Sequence, residues 1–166
     1  MNKQGAFKLS VAGVLLIVGV VLLVKFVTSQ REPEGLAYFY DLSERKLFVA
    51  PRTAVPPIRG LNNDEPDGVR AVVVSTSGDP RDQPARKIAY LEKYSPELKQ
   101  QFEQLRDGGA ARPTASISRG QAQAHIFVRR VNESRWHPAH SPEAERIMTE
   151  WQAPGPEGKT PVVCVP

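Results

Sequence analysis

Leu9 to Val24 reads LSVAGVLLIVGVVLLV, sixteen residues without a charge, diluted only by Ser10, Gly13 and Gly19. Phe26 and Val27 extend the run past Lys25. A helix over 9–27 is about 28 Å long at a rise of about 1.5 Å per residue, close to the thickness of a bilayer core. Leu9, Val14, Leu15, Leu16, Ile17, Val20, Leu22 and Leu23 make it apolar all round, and a chain of 166 residues has little interior in which to hide it. The exit, Lys25-Phe26-Val27-Thr28-Ser29-Gln30, is bulky and charged, unlike the small-residue cleavage site of a secretory signal. The pattern predicts a retained transmembrane anchor over 9–27, preceded by a cytoplasmic tail 1–8 and followed by a linker 28–35. Lys3 and Lys8 precede the run, whereas Lys25 and Arg31 follow it diluted by Glu32 and Glu34. That bias places residues 36–166 outside a bacterial inner membrane, as a single-pass protein with a periplasmic domain.

The formal net charge of +4 belongs mostly to the N-terminus. Beyond Val27 the chain holds 19 basic and 18 acidic side chains, so no basic stripe marks a nucleic-acid partner. The pairs Arg86-Lys87 and Arg129-Arg130 read as solvated charges at strand edges. Cys164 is the only cysteine, which excludes an intramolecular disulfide. Within Val162-Val-Cys-Val165 it reads as a small apolar residue of a terminal strand.

Residues 36–166 carry strand and helix signals in one alternation. Leu36–Asp41 and Lys46–Ala50 are rich in aromatic and β-branched residues and predict a hairpin around Leu42-Ser-Glu-Arg45. Pro51, Pro56 and Pro57 end its pairing, and Asn62 to Gly68 is a turn. Val69–Val74 reads as a central strand. Arg86–Tyr94 reads as another, with Ile88, Tyr90 and Glu92 on one face by alternation. Ser95-Pro96-Glu97 starts a helix with apolar Leu98, Phe102 and Leu105, stopped by Gly108-Gly109. His125–Val131 is a strand. Ser141-Pro142-Glu143 starts a second helix with Ala144, Ile147, Met148 and Trp151. The expected fold is α+β: a transmembrane helix, then a small, mainly antiparallel sheet with two helices on one face.

Chemistry-bearing motifs are sparse. Trp136-His137-Pro138-Ala139-His140 offers His137 and His140 as weak metal candidates, with His125 and Cys164 as distant further donors. Pro138 interrupts the segment, and no Glu lies between the histidines as in H-E-x-x-H. No G-x-S-x-G or phosphate-binding loop is present. Tyr38 and Tyr40 flank Phe39, which suits the core, leaving one or both tyrosines for a surface. With Trp136, and with Gly13 and Gly19 in the apolar run, they are the candidate partner contacts.

The blocks Tyr38-Phe-Tyr-Asp-Leu42, Leu47-Phe-Val-Ala-Pro51 and Pro56-Pro-Ile58 resemble the opening of a family of uncharacterised bacterial single-pass membrane proteins. The similarity continues through Gly68–Ala71, Tyr90–Glu97, Val128–Arg130 and Trp136–Glu143. It implies an architecture and no activity, and the further cysteines of that family are absent. A weaker resemblance is to type IV pilins and pseudopilins, carried by the short basic leader and apolar helix. Gly5-Ala6-Phe7 mimics their processing point, but Ser10 stands where their Glu is expected. The expected function is therefore a non-enzymatic accessory subunit, without cofactor, metal, nucleic acid or small-molecule substrate. Its partners would be the lipid bilayer and other membrane protein subunits. A pilin-like filament or secretion component and a metal- or thiol-dependent enzyme are the alternatives.

Overall fold

The computed structural model describes residues 35–106, 117–118, 120–155 and 158–166, together with Gly19. The chain divides into two units, Met1–Gly35 and Leu36–Pro166. Among the described residues no helix is long and apolar enough to cross a membrane. This corrects the expected architecture, with its single-pass signal anchor ahead of the sheet. The two helices of the second unit have 11 and 9 residues, about 17 and 14 Å, half of what a bilayer requires. The expected anchor residues, Leu9 to Leu23, and Gly13 lie outside the described residues. Gly19 is helical and exposed, with nothing within 4 Å of an added Cβ.

The second unit is a seven-stranded antiparallel sheet with two helices. Its elements are β1 (Leu36–Asp41), β2 (Lys46–Pro51), β3 (Gly68–Ser75), β4 (Arg86–Tyr94), α1 (Pro96–Arg106), β5 (Ile126–Arg129), β6 (His137–Pro138), α2 (Pro142–Glu150) and β7 (Val162–Cys164). A 3₁₀ turn, Ala122–His125, leads into β5. The strand order is β2-β1-β3-β4-β5-β6, and β7 pairs with the far end of β3. The hairpin forms as its composition dictates, with Phe39 opposite Phe48 and Tyr40 opposite Leu47.

Register divides the side chains between two faces, because residues directly opposite each other share a face. Phe39, Arg70, Glu92 and Val128 form one cross-strand row. Both helices pack on this side. Val128 joins Ala144 and Ile147 of α2 in a buried cluster with Tyr90 and Met148. The Tyr94 ring lies 5.5 Å from Phe102 of α1. Burial raises the Glu92 carboxyl pKa here, and the Arg70 charge opposes the shift. Of the expected α1 stripe only Leu98 is buried, and Leu105 is 62% exposed.

Simple alternation fails in β4. Val72 pairs with Tyr90 but Val73 with Ile88, so Ala89 is an extra residue in a bulge. Ile88 therefore leaves the face of Tyr90 and Glu92 and joins that of Val73. The helix starts hold as read: Ser95 Oγ accepts from Leu98 N at 3.3 Å, and Ser141 Oγ from Ala144 N at 3.2 Å. Ser141→Ala should cost about 1 kcal/mol in urea unfolding, and an unchanged midpoint would refute its capping role.

Asp41 anchors the long loop between β2 and β3. It is fully buried, and its Oδ1 accepts from Glu44 N at 2.7 Å and Ser43 Oγ at 2.9 Å, its Oδ2 from Leu61 N at 2.7 Å. The backbone N–H of Glu44, then that of Leu61, holds its pKa below the usual 3.8. Gly60 is required beside it, since a Cβ there would stand 2.2 Å from Asp67 Oδ1 and 2.7 Å from Asp41 Oδ2.

Candidate functional site: the open face of the sheet

The second cross-strand row consists of Ala71, Leu91 and Arg129, with Tyr40 opposite Val69 and Lys93 opposite Phe127 alongside. Neither α1 nor α2 packs on it. Val69, Ala71, Val73, Leu91 and Cys164 are nevertheless buried, because Tyr38, Tyr40, Leu42, Ile88, Val131 and Trp136 close over them. Among the described residues no helix covers this sheet face, and a thin lid of side chains from its strands and their adjoining loops closes it instead. Leu47 and Val49, the neighbours of Tyr40 and Tyr38 on edge strand β2, stay 41% and 45% exposed.

Three concavities open along this face. One of about 430 Å³ lies among Tyr40, Leu42, Arg45 and Arg129. One of about 370 Å³ is lined by Tyr38, Leu47, Arg86 and Ile88. A third, about 260 Å³, lies at the edge of the face, between Lys93, Phe127 and Trp136 on one side and Tyr94, Ser95 and Pro96 at the start of α1 on the other.

Each concavity has a cation at its wall. Lys93 Nζ and the Arg129 guanidinium stand over the Trp136 ring, 4.6 and 4.8 Å from its centroid. Burial lowers the pKa of both, and the Arg129 charge adds to the effect on Lys93. Arg129 Nη1 donates to the carbonyl of Glu133. Arg86 donates to the Tyr38 hydroxyl at 2.8 Å and to the carbonyl of Pro80 at 2.7 Å. Arg45, in the hairpin turn, has φ 54°, the left-handed region that glycine or asparagine occupies most cheaply.

Among the described residues none of these four cations forms an ion pair with a carboxylate. The next residue in the chain does the opposite. Arg130 points toward α2 and takes Glu150 and Glu133 at 2.6 Å and Glu143 at 3.1 Å. Those glutamates, Glu150 first, raise its pKa. Glu133, the carboxylate at the rim of the concavity beside Tyr40 and Arg45, is thereby already engaged. Of the basic pairs Arg86-Lys87 and Arg129-Arg130, only the exposed Lys87 is a simply solvated charge, since Arg86, Arg129 and Arg130 are partly buried and bonded.

The structure gathers Tyr38, Tyr40 and Trp136 onto one core cluster. The metal candidates have other surroundings. His137, in β6, has Nε2 3.9 Å from Glu133 Oε2, while His140 is exposed before α2. Cys164 is buried in β7 opposite Val73. Among the described residues no group of three or more His, Cys, Asp and Glu is placed to hold a metal ion. His125 faces Ser95 Oγ at 2.9 Å and Glu97 Oε2 at 3.9 Å, a trio that sequence spacing did not suggest. Both partners lie at the same nitrogen, Nδ1, so the ring is not arranged to carry a proton between them as in a hydrolase triad. The serine is instead the cap of α1.

Arg45, Arg86, Lys93 and Arg129 were not legible as a group, because β4 phase and the two-residue strand β6 assemble them. The chain matches no family model, and no curated protein and no solved structure matches it.

Proposed function

We propose that Leu36–Pro166 is a non-enzymatic interaction domain, an accessory subunit that docks on a larger protein assembly through its open sheet face. The observation that carries this reading is the concentration there of exposed Leu47 and Val49, half-buried aromatic rings and four cations that form no ion pair with a carboxylate among the described residues. Aromatic and arginine side chains of this kind dominate binding energy at protein interfaces.

Site-specific photo-crosslinkers in the full chain, in the cells that make it, test the proposal. Probes at Leu47 and Val49 should give a discrete adduct with another polypeptide, and probes at Gln100 of α1 and Glu145 of α2 should not. Adducts from the helix side alone, or none from the sheet face, would sink it.

A further inference from the structure

We propose that the segment docked on the open face is acidic, with carboxylates set against Arg45, Lys93 and Arg129 and apolar side chains between them over Tyr40, Leu47 and Val49. This rests on the docking reading above and adds the chemistry of the partner. The argument is charge complementarity. The chain as a whole is nearly balanced, with 22 basic and 18 acidic side chains, so an unpaired cationic face is a local arrangement. The contrast between neighbours makes the point: Arg130 holds three glutamates in direct ion pairs, whereas Arg129 bonds a neutral carbonyl, stands over an indole ring and feels the Glu133 charge only at a distance. Lys93 and Arg129 are half-buried, lack full hydration and gain more from an incoming carboxylate than the exposed Arg45 does. Arg45 adds a charge at the one non-glycine residue with a positive φ among the described residues, where the backbone favours a residue without one.

Two other occupants fit less well. A nucleic acid needs free ring faces for base stacking. Here the Trp136 ring carries two cations, and Tyr38 and Tyr40 lie against the core cluster. A second copy of the chain meeting this face would oppose like charges.

The test places the crosslinker at Val49 of the full chain, with Arg45 intact, as Arg45→Glu and as Arg45→Gly, and sequences the cross-linked peptide by mass spectrometry. The expected peptide has an excess of Asp and Glu. Adduct yield should fall roughly tenfold in Arg45→Glu, a change of about 1.4 kcal/mol. It should fall less in Arg45→Gly, which should melt no lower than the parent. A neutral or basic peptide, a peptide of this chain, a nucleotide adduct, or an undiminished yield in a folded Arg45→Glu protein would overturn the acidic segment. In the neutral-peptide case docking itself stands. Absence of any adduct from the sheet face removes both. Should Arg45→Glu not fold, Arg45→Gly and Lys93→Gln decide by the same yields.

Discussion

Asp41→Ala should lower the unfolding free energy of the domain by about 3 kcal/mol in urea titration. Three hydrogen bonds to a carboxylate are lost, and the N–H groups of Glu44 and Leu61 lose the acceptor that fixes them. Because Asp41 joins the hairpin turn to the loop at Leu61, the loss should also loosen both segments, visible as faster amide exchange at Glu44 and Leu61. A midpoint within error of the parent would show that the loop stands without it. The pH dependence follows from the lowered pKa. The unfolded carboxyl titrates near 3.8 and the folded one below it. The contribution is therefore complete above the unfolded value and drains away as pH falls through the folded one. Asp41→Asn cannot titrate, so the stability gap between parent and variant should narrow on acidification below about pH 4. A gap that widens there would contradict the sign.

Leu91→Ala should cost about 3 kcal/mol, within the usual range for a buried leucine. Leu91 is fully buried although neither described helix lies over it. Its cover is the thin lid that includes Tyr40 and Trp136, so the cavity opens beneath the proposed docking surface. The variant should therefore be destabilised and should also weaken cross-linking from Val49, while Ser141→Ala leaves that yield unchanged. A loss under 1 kcal/mol would mean that the lid collapses to fill the space, and that the surface is soft.

Local chemistry made much of this fold readable in the sequence. The hairpin follows from alternating aromatic and β-branched residues closed by Leu42-Ser-Glu-Arg45. The two S-P-E starts are real caps because serine, proline and glutamate each solve a problem of the first helical turn. The site was only partly readable. Tyr38, Tyr40 and Trp136 stand out as residues, but their common face depends on non-local pairing. Ala89 shifts the phase of β4, so Arg86 and Lys93, seven apart and nominally on opposite faces, end up together. No periodicity reveals such a bulge. His137–Pro138 is too short to show as a strand, yet it sets Trp136 beside β5. The division of labour between Arg129 and Arg130 required knowing where α2 lies. The expected anchor rested on the length, hydropathy and flanking residues of a run of which only Gly19 is among the described residues.

Arg45 keeps a side chain where the backbone would be easier without a Cβ. Glycine there should relieve about 1 kcal/mol of conformational cost. Drift toward greater stability thus runs against retention of the charge. If the proposed acidic segment docks on this face, position 45 should be among the first to decay to glycine or asparagine in descendants that have lost it, which would make it a readable marker of that selection.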